Sequence, residues 1–104
     1  MNSIQLCFVL FIFQSIVFPN LDDAIDLFLE SEIAIIQGNT DIALLYLHKA
    51  KNIYPDSPTI YKSIAEIHQN NNDLFNALEN FLKAYELNKN DKKLQFKLIE
   101  IYKV

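Results

Sequence analysis

Few side chains in this sequence are of the types that do chemistry, and their spacing limits each of them. His48 and His68 lie far apart along the chain, with no His or Cys near either and no carboxylate at the spacing of a metal-binding helix. His68 falls in an apolar stripe and is expected to be a packed core residue. Asp22 and Asp23 form an acidic pair, but just after Pro19-Asn20 they suit the first turn of a helix, where the helix dipole favours negative charge. Ser57 precedes Pro58 and reads as a helix cap, with no base beside it to make it a nucleophile. Gly38 is the only glycine, which excludes glycine-rich phosphate cradles and dinucleotide fingerprints. The single Cys7 excludes a disulfide framework and any Cys-based zinc site. The expectation is a protein without catalytic residues, metal or cofactor, and not an enzyme.

The elements that carry these residues follow from composition. A chain of 104 residues allows one small domain, and 51% hydrophobic residues is too many for a disordered chain. Three Pro and one Gly are too few for an all-β fold, which needs frequent turns, so helices are favoured. The net charge of −4 argues against nucleic acid as a partner, since phosphate contacts need clustered cations. Charge is uneven: from Leu21 to Ile60 seven acids face two lysines, and from Tyr61 onward six acids face seven lysines.

Ile4 to Phe18 is an uncharged apolar run, stopped by Pro19-Asn20. Fifteen helical residues span roughly 22 Å, short of a bilayer core of about 30 Å. That length suits a signal or anchor segment over residues 1–20, with membrane contact only through 4–18. No Lys or Arg precedes the run and no small-residue cleavage site follows it, so a buried first helix of a cytoplasmic protein is the alternative to an exported or membrane-anchored one.

A self-comparison at a shift of 34 residues sets Ala43 on Ala77, Leu44 on Leu78, Lys49 on Lys83 and Ala50 on Ala84. Leu47 then meets Phe81, Ile53 meets Leu87, Ile64 meets Leu98 and His68 meets Tyr102. Each unit reads as two antiparallel helices. Tyr61, Ile64, Ala65 and His68 recur at helical spacing after the Ser57-Pro58 start. Asn72 or Asp73 can cap a second helix whose stripe is Leu74, Ala77, Leu78, Phe81, Ala84, Tyr85 and Leu87. The Asn70-Asn71-Asn72-Asp73 run, like Gly38-Asn39-Thr40-Asp41 before it, is the turn between them. A lone hairpin cannot bury its stripe, so neighbours must stack.

These residues resemble the tetratricopeptide repeat family, whose signature places an aromatic, Leu, Gly and Tyr on one helix and Ala, Phe and Ala on the next. Tyr61, Ile64, Ala65 and His68 fill the first four slots, and Ala77, Phe81 and Ala84 the next three. Lys89 replaces the terminal Pro, which the preceding unit supplies as Pro55. That preceding unit has Glu30 and Ser31 in the Leu and Gly slots, so its first helix is either shifted in register or a degenerate capping helix. The resemblance covers Leu21 to Val104 as about two and a half repeats, in units of about 24–57, 58–91 and a partial 92–104. It implies an all-α, antiparallel helix-turn-helix array, a TPR-like α-solenoid preceded by an N-terminal hydrophobic helix.

The resemblance also implies the work: first-helix residues line a concave groove that holds a peptide or a partner helix, as a scaffold does. The matching positions are Thr59, Lys62, Ser63, Glu66, Gln69 and Asn70, then Lys93, Phe96, Lys97 and Glu100. Some family members clamp a carboxylate with two Lys, two Asn and an Arg. Lys93 and Lys97 fill the last two clamp positions, but Phe28, Glu32 and Ser63 stand in the others, and Glu32 would repel a carboxylate. The third unit has only a first helix, with Leu98, Ile101 and Tyr102 expected to pack backward. This end implies either a capping helix or a longer array of which the chain is an N-terminal piece. An apolar end also fits self-association through the repeat ends.

Overall fold

The computed structural model describes residues 2–6 and 20–103. The apolar segment expected over 4–18 therefore lies, beyond Leu6, outside the described residues. Among these residues all regular structure is helical, and no helix is long and apolar enough to cross a membrane. From residue 20 onward the order is α1 (Leu21–Ile36), α2 (Thr40–Ile53), α3 (Pro58–Asn70), α4 (Leu74–Leu87) and α5 (Lys92–Tyr102).

Local chemistry places each boundary. Asn20 and Asp23 form a capping box: the Asn20 side chain accepts from the Asp23 N–H, and the Asn20 N–H donates to the Asp23 carboxylate at 3.0 Å. Asn39, Ser57, Asp73 and Asp91 cap the four later helices in the same position, each accepting from a backbone N–H three residues on. The turns after α1 and α3 end in a left-handed residue, Gly38 at φ 78° and Asn72 at φ 61°. In each, the N–H of the left-handed residue and the N–H after it reach back to carbonyls of the last turn: Gly38 to Ile35 and Asn39 to Ala34, then Asn72 to Gln69 and Asp73 to His68. The Asn run is thus a three-residue elbow whose last member starts the next helix. Helix bounds, caps and left-handed residues all recur 34 positions apart, save that the capping box starts α1 three residues earlier than Pro58 starts α3.

The helices pack in adjacent pairs, α1 on α2 and α3 on α4, with lighter contacts from α2 to α3 and from α4 to α5. Connections of three residues leave each pair antiparallel. Ala43, Ala50, Ala77 and Ala84 have no exposure, because small side chains let the helix axes approach closely. Leu47 and Phe81 sit between those alanines and fill the space; burying such a side chain contributes about 1.5–3 kcal/mol.

Two apolar clusters result, and α3 is the wall between them. Ile60, Ile64 and Ile67 join Ala34, Ala43, Leu47 and Ala50 on one side. Ala65 and the half-buried Tyr61 face Ala77, Phe81, Ala84, Leu94, Leu98 and Ile101 on the other. Helix α1 is in register: Ser31, buried with its hydroxyl donating to the Phe28 carbonyl, takes the small-residue position that Ala65 holds in α3. Glu30 is exposed at the position of Ile64, on a face that α3 turns toward the first cluster.

Two expectations need correction. Tyr102 does not pack backward with Leu98 and Ile101; it is 65% exposed, because one residue further along a helix turns the side chain by about 100°. His68 is not enclosed in the core but half-buried, its side chain 20% exposed with Nδ1 3.4 Å from the Asp73 carboxylate.

Candidate functional site

Helices α1, α3 and α5 bound three concavities in series. One, of about 150 Å³, lies between the starts of α1 and α3 and is lined by Leu21, Ala24, Ile25, Phe28, Tyr54, Ser57, Thr59 and Ile60. A second, of about 230 Å³, continues between the same helices past Phe28 to Glu32, Ile35, Ser63, Glu66, Ile67 and Asn70. A third, of about 340 Å³, lies between α3 and α5 and is lined by Lys62, Glu66, Phe81, Asp91, Lys93, Leu94, Phe96, Lys97 and Glu100. Phe28 is common to the first two and Glu66 to the last two, so the three run along one face.

Nine of the ten residues expected in the groove line it: Thr59, Lys62, Ser63, Glu66, Asn70, Lys93, Phe96, Lys97 and Glu100, whereas Gln69 lines none of the three. Helical spacing explains the grouping, since positions three and four apart share a face. The charges on it differ in their commitments. Lys62 lies 3.0 Å from Asp91, which also caps α5 through the Leu94 N–H. The Lys62 hydrogen bond, with that backbone N–H, holds the Asp91 carboxyl below its usual range. Lys97 sits 5.7 Å from the centre of the Phe81 ring, its ammonium over the aromatic face. Phe96 is 69% exposed between Lys93 and Lys97 in sequence, an aromatic ring left in water beside two cations.

Residues of α1 on this face were missed among the sequence candidates, although the repeat carried the signal. Subtracting 34 from Thr59, Lys62 and Glu66 gives Ile25, Phe28 and Glu32, all of which line the groove. A larger crevice of about 690 Å³ lies away from it, between α2, α3 and α4, and shares none of those lining residues. His48, Lys51, Tyr61, His68, Glu79, Lys83 and Glu86 are among its walls, so the fold brings the two histidines to one cleft. Burial, then Lys51 and His68, lower the pKa of His48 and favour its neutral form. Among the described residues no three His, Cys, Asp or Glu side chains come together to hold a metal ion.

The chain matches no protein-family model and no curated protein sequence. The face thus combines side-chain-sized seams, exposed apolar groups and charged side chains.

Proposed function

We propose that the chain is a protein-binding module of the tetratricopeptide type, a scaffold that holds a partner's peptide across the face of α1, α3 and α5. The observation that carries this reading is the continuity of the three concavities through Phe28 and Glu66. The work is recruitment, without catalysis, cofactor or nucleic acid, by a protein that residues 4–18 export or anchor. The module can equally serve as the recruiting part of a larger protein.

The double substitution Lys93→Glu with Lys97→Glu tests the groove. Partner recovery in a pull-down is expected to be lost while helicity by circular dichroism is kept; unchanged recovery moves binding to another face. A second reading, self-association through α5, is favoured by the exposure of Ile99 at 50% and Tyr102 at 65%. A clean monomer at high micromolar concentration in size-exclusion chromatography removes it.

A further inference from the structure

Large apolar side chains are left in water unevenly, and two helix faces hold them in rows. On α1, Leu21, Ile25, Leu29 and Ile33 follow one another at intervals of four and are 46–54% exposed. Asp22, Asp26 and Glu30 keep the same interval one position on, so a row of exposed acids runs beside the apolar row. Helix α1 carries five acids and no lysine.

On α5, Phe96, Ile99 and Tyr102 recur at intervals of three and are at least half exposed. Lys92 and Lys103 lie four or seven positions from Phe96 and Ile99, on the same side of the helix, and both are exposed. The one acid of α5, Glu100, lines the seam against α3. Its capping residue Asp91 is tied to Lys62, and Glu79 and Glu86 of α4 line the crevice that α4 shares with α2. Among the described residues Asp22, Asp26, Glu30, Lys92 and Lys103 have no opposite charge within salt-bridge distance.

The two faces are therefore complementary, apolar rows with acids on one and lysines on the other. The fold keeps them apart within one chain, because α1 packs on α2 and α5 packs on α4, with α3 between the pairs. Pairing like with like would set acids against acids or lysines against lysines, which costs free energy.

We propose that each face is covered by the other face of a second copy. Helix α5 of one chain lies along α1 of the next, its Phe96–Ile99–Tyr102 stripe on the Leu21–Ile25–Leu29 row and its lysines against the acids. A contact between two different surfaces does not close on a pair, so each addition leaves a free face at either end and the assembly grows. This deepens the second reading above, self-association through α5, and rests on it.

Sedimentation velocity of the full chain tests it, with Lys92→Glu/Lys103→Glu and Asp26→Lys/Glu30→Lys as the variants. All four side chains are exposed and none of them caps a helix, so helicity by circular dichroism is expected to be kept. The wild-type mass is expected to rise past a dimer with concentration and to fall as salt screens the contact. Loss of two exposed ion pairs predicts an association about tenfold weaker in each variant alone. An equimolar mixture of the two variants is expected to recover it, because each reversed face then meets an opposite charge on the other variant.

If the lysine variant dissociates the assembly while the α1 variant does not, or the mixture stays dissociated, α5 packs on some other surface. The proposal is then overturned and the second reading stands. A wild-type mass that levels off at a dimer has the same consequence. If neither variant changes the association, or the wild type is a monomer at high micromolar concentration, both are overturned.

Discussion

Position 30 in α1 and position 64 in α3 occupy the same place in two helix pairs built 34 residues apart, yet one is a glutamate in solvent and the other an isoleucine with no exposure. The pairs agree where each helix meets its own partner. Ala43, Leu47 and Ala50 are buried as Ala77, Phe81 and Ala84 are, and Ser31 is buried as Ala65 is. They differ where one pair meets the next. Ile60, Ile64 and Ile67 of α3 lie in the first cluster, whereas Asp26, Glu30 and Ile33 of α1, at the equivalent positions, are exposed. The contact within a pair is thus set by small residues at fixed spacing, and the contact between pairs by whether the outward stripe is apolar.

That distinction can be broken at its strongest point. Ile64→Glu gives α3 the residue α1 has at this position, and it buries a carboxylate among the apolar side chains of the first cluster. The expected cost is several kcal/mol, on the order of the whole stability of a small domain. Urea denaturation should find the variant largely unfolded, and a stable variant would mean that the two pairs do not depend on each other.

The join between α3 and α5 is expected to matter less and to depend on pH. Asp91→Ala removes a helix cap worth about 0.5–2 kcal/mol and a half-buried, solvent-screened ion pair worth about 1 kcal/mol. Because Lys62 and the α5 backbone hold the Asp91 carboxyl low, its stabilisation is present above the unfolded value of about 4. It is lost as pH falls through the lower native value. Acid titration of stability should therefore be shallower below about pH 4 in the variant, and an identical profile would remove the ion pair from the account.

The smallest effect is expected from the reverse exchange, Glu30→Ile. Solvent surrounds this side chain, so denaturation should shift by no more than about 0.5 kcal/mol in either direction. A large gain would show that this face is covered in solution.

Much of this architecture was legible in the residues. The 34-residue match of Ala43-Leu44 with Ala77-Leu78 located α2 and α4, and Ser57-Pro58 located the start of α3. Those signals are local: a cap, a left-handed turn residue and a helical stripe act within a few positions of themselves. Nine of the ten residues that the tetratricopeptide resemblance implies for a groove line the concavities beside α3 and α5, where positions three and four apart share a side of each helix. The α1 side of the face is less legible, because Phe28 and Glu32 do not fit a carboxylate clamp and only the fold makes them walls of the concavities.

Other features depended on packing between helices. Spacing alone made His68 an interior residue and set it apart from His48, because the twenty positions between them include a turn that doubles the chain back. Tyr102 was read as packing backward because a stripe marks one side of a helix without saying which neighbour is there to cover it. By itself the sequence determined five helices, their caps and their repeat, all set by interactions between residues near in the chain. The tertiary structure alone decided which stripes are covered, that α3 serves two cores at once, and that one face is apolar between the starts of α1 and α3 and lined by charges of both signs between α3 and α5. Those outcomes depend on residues distant in sequence competing for the same space.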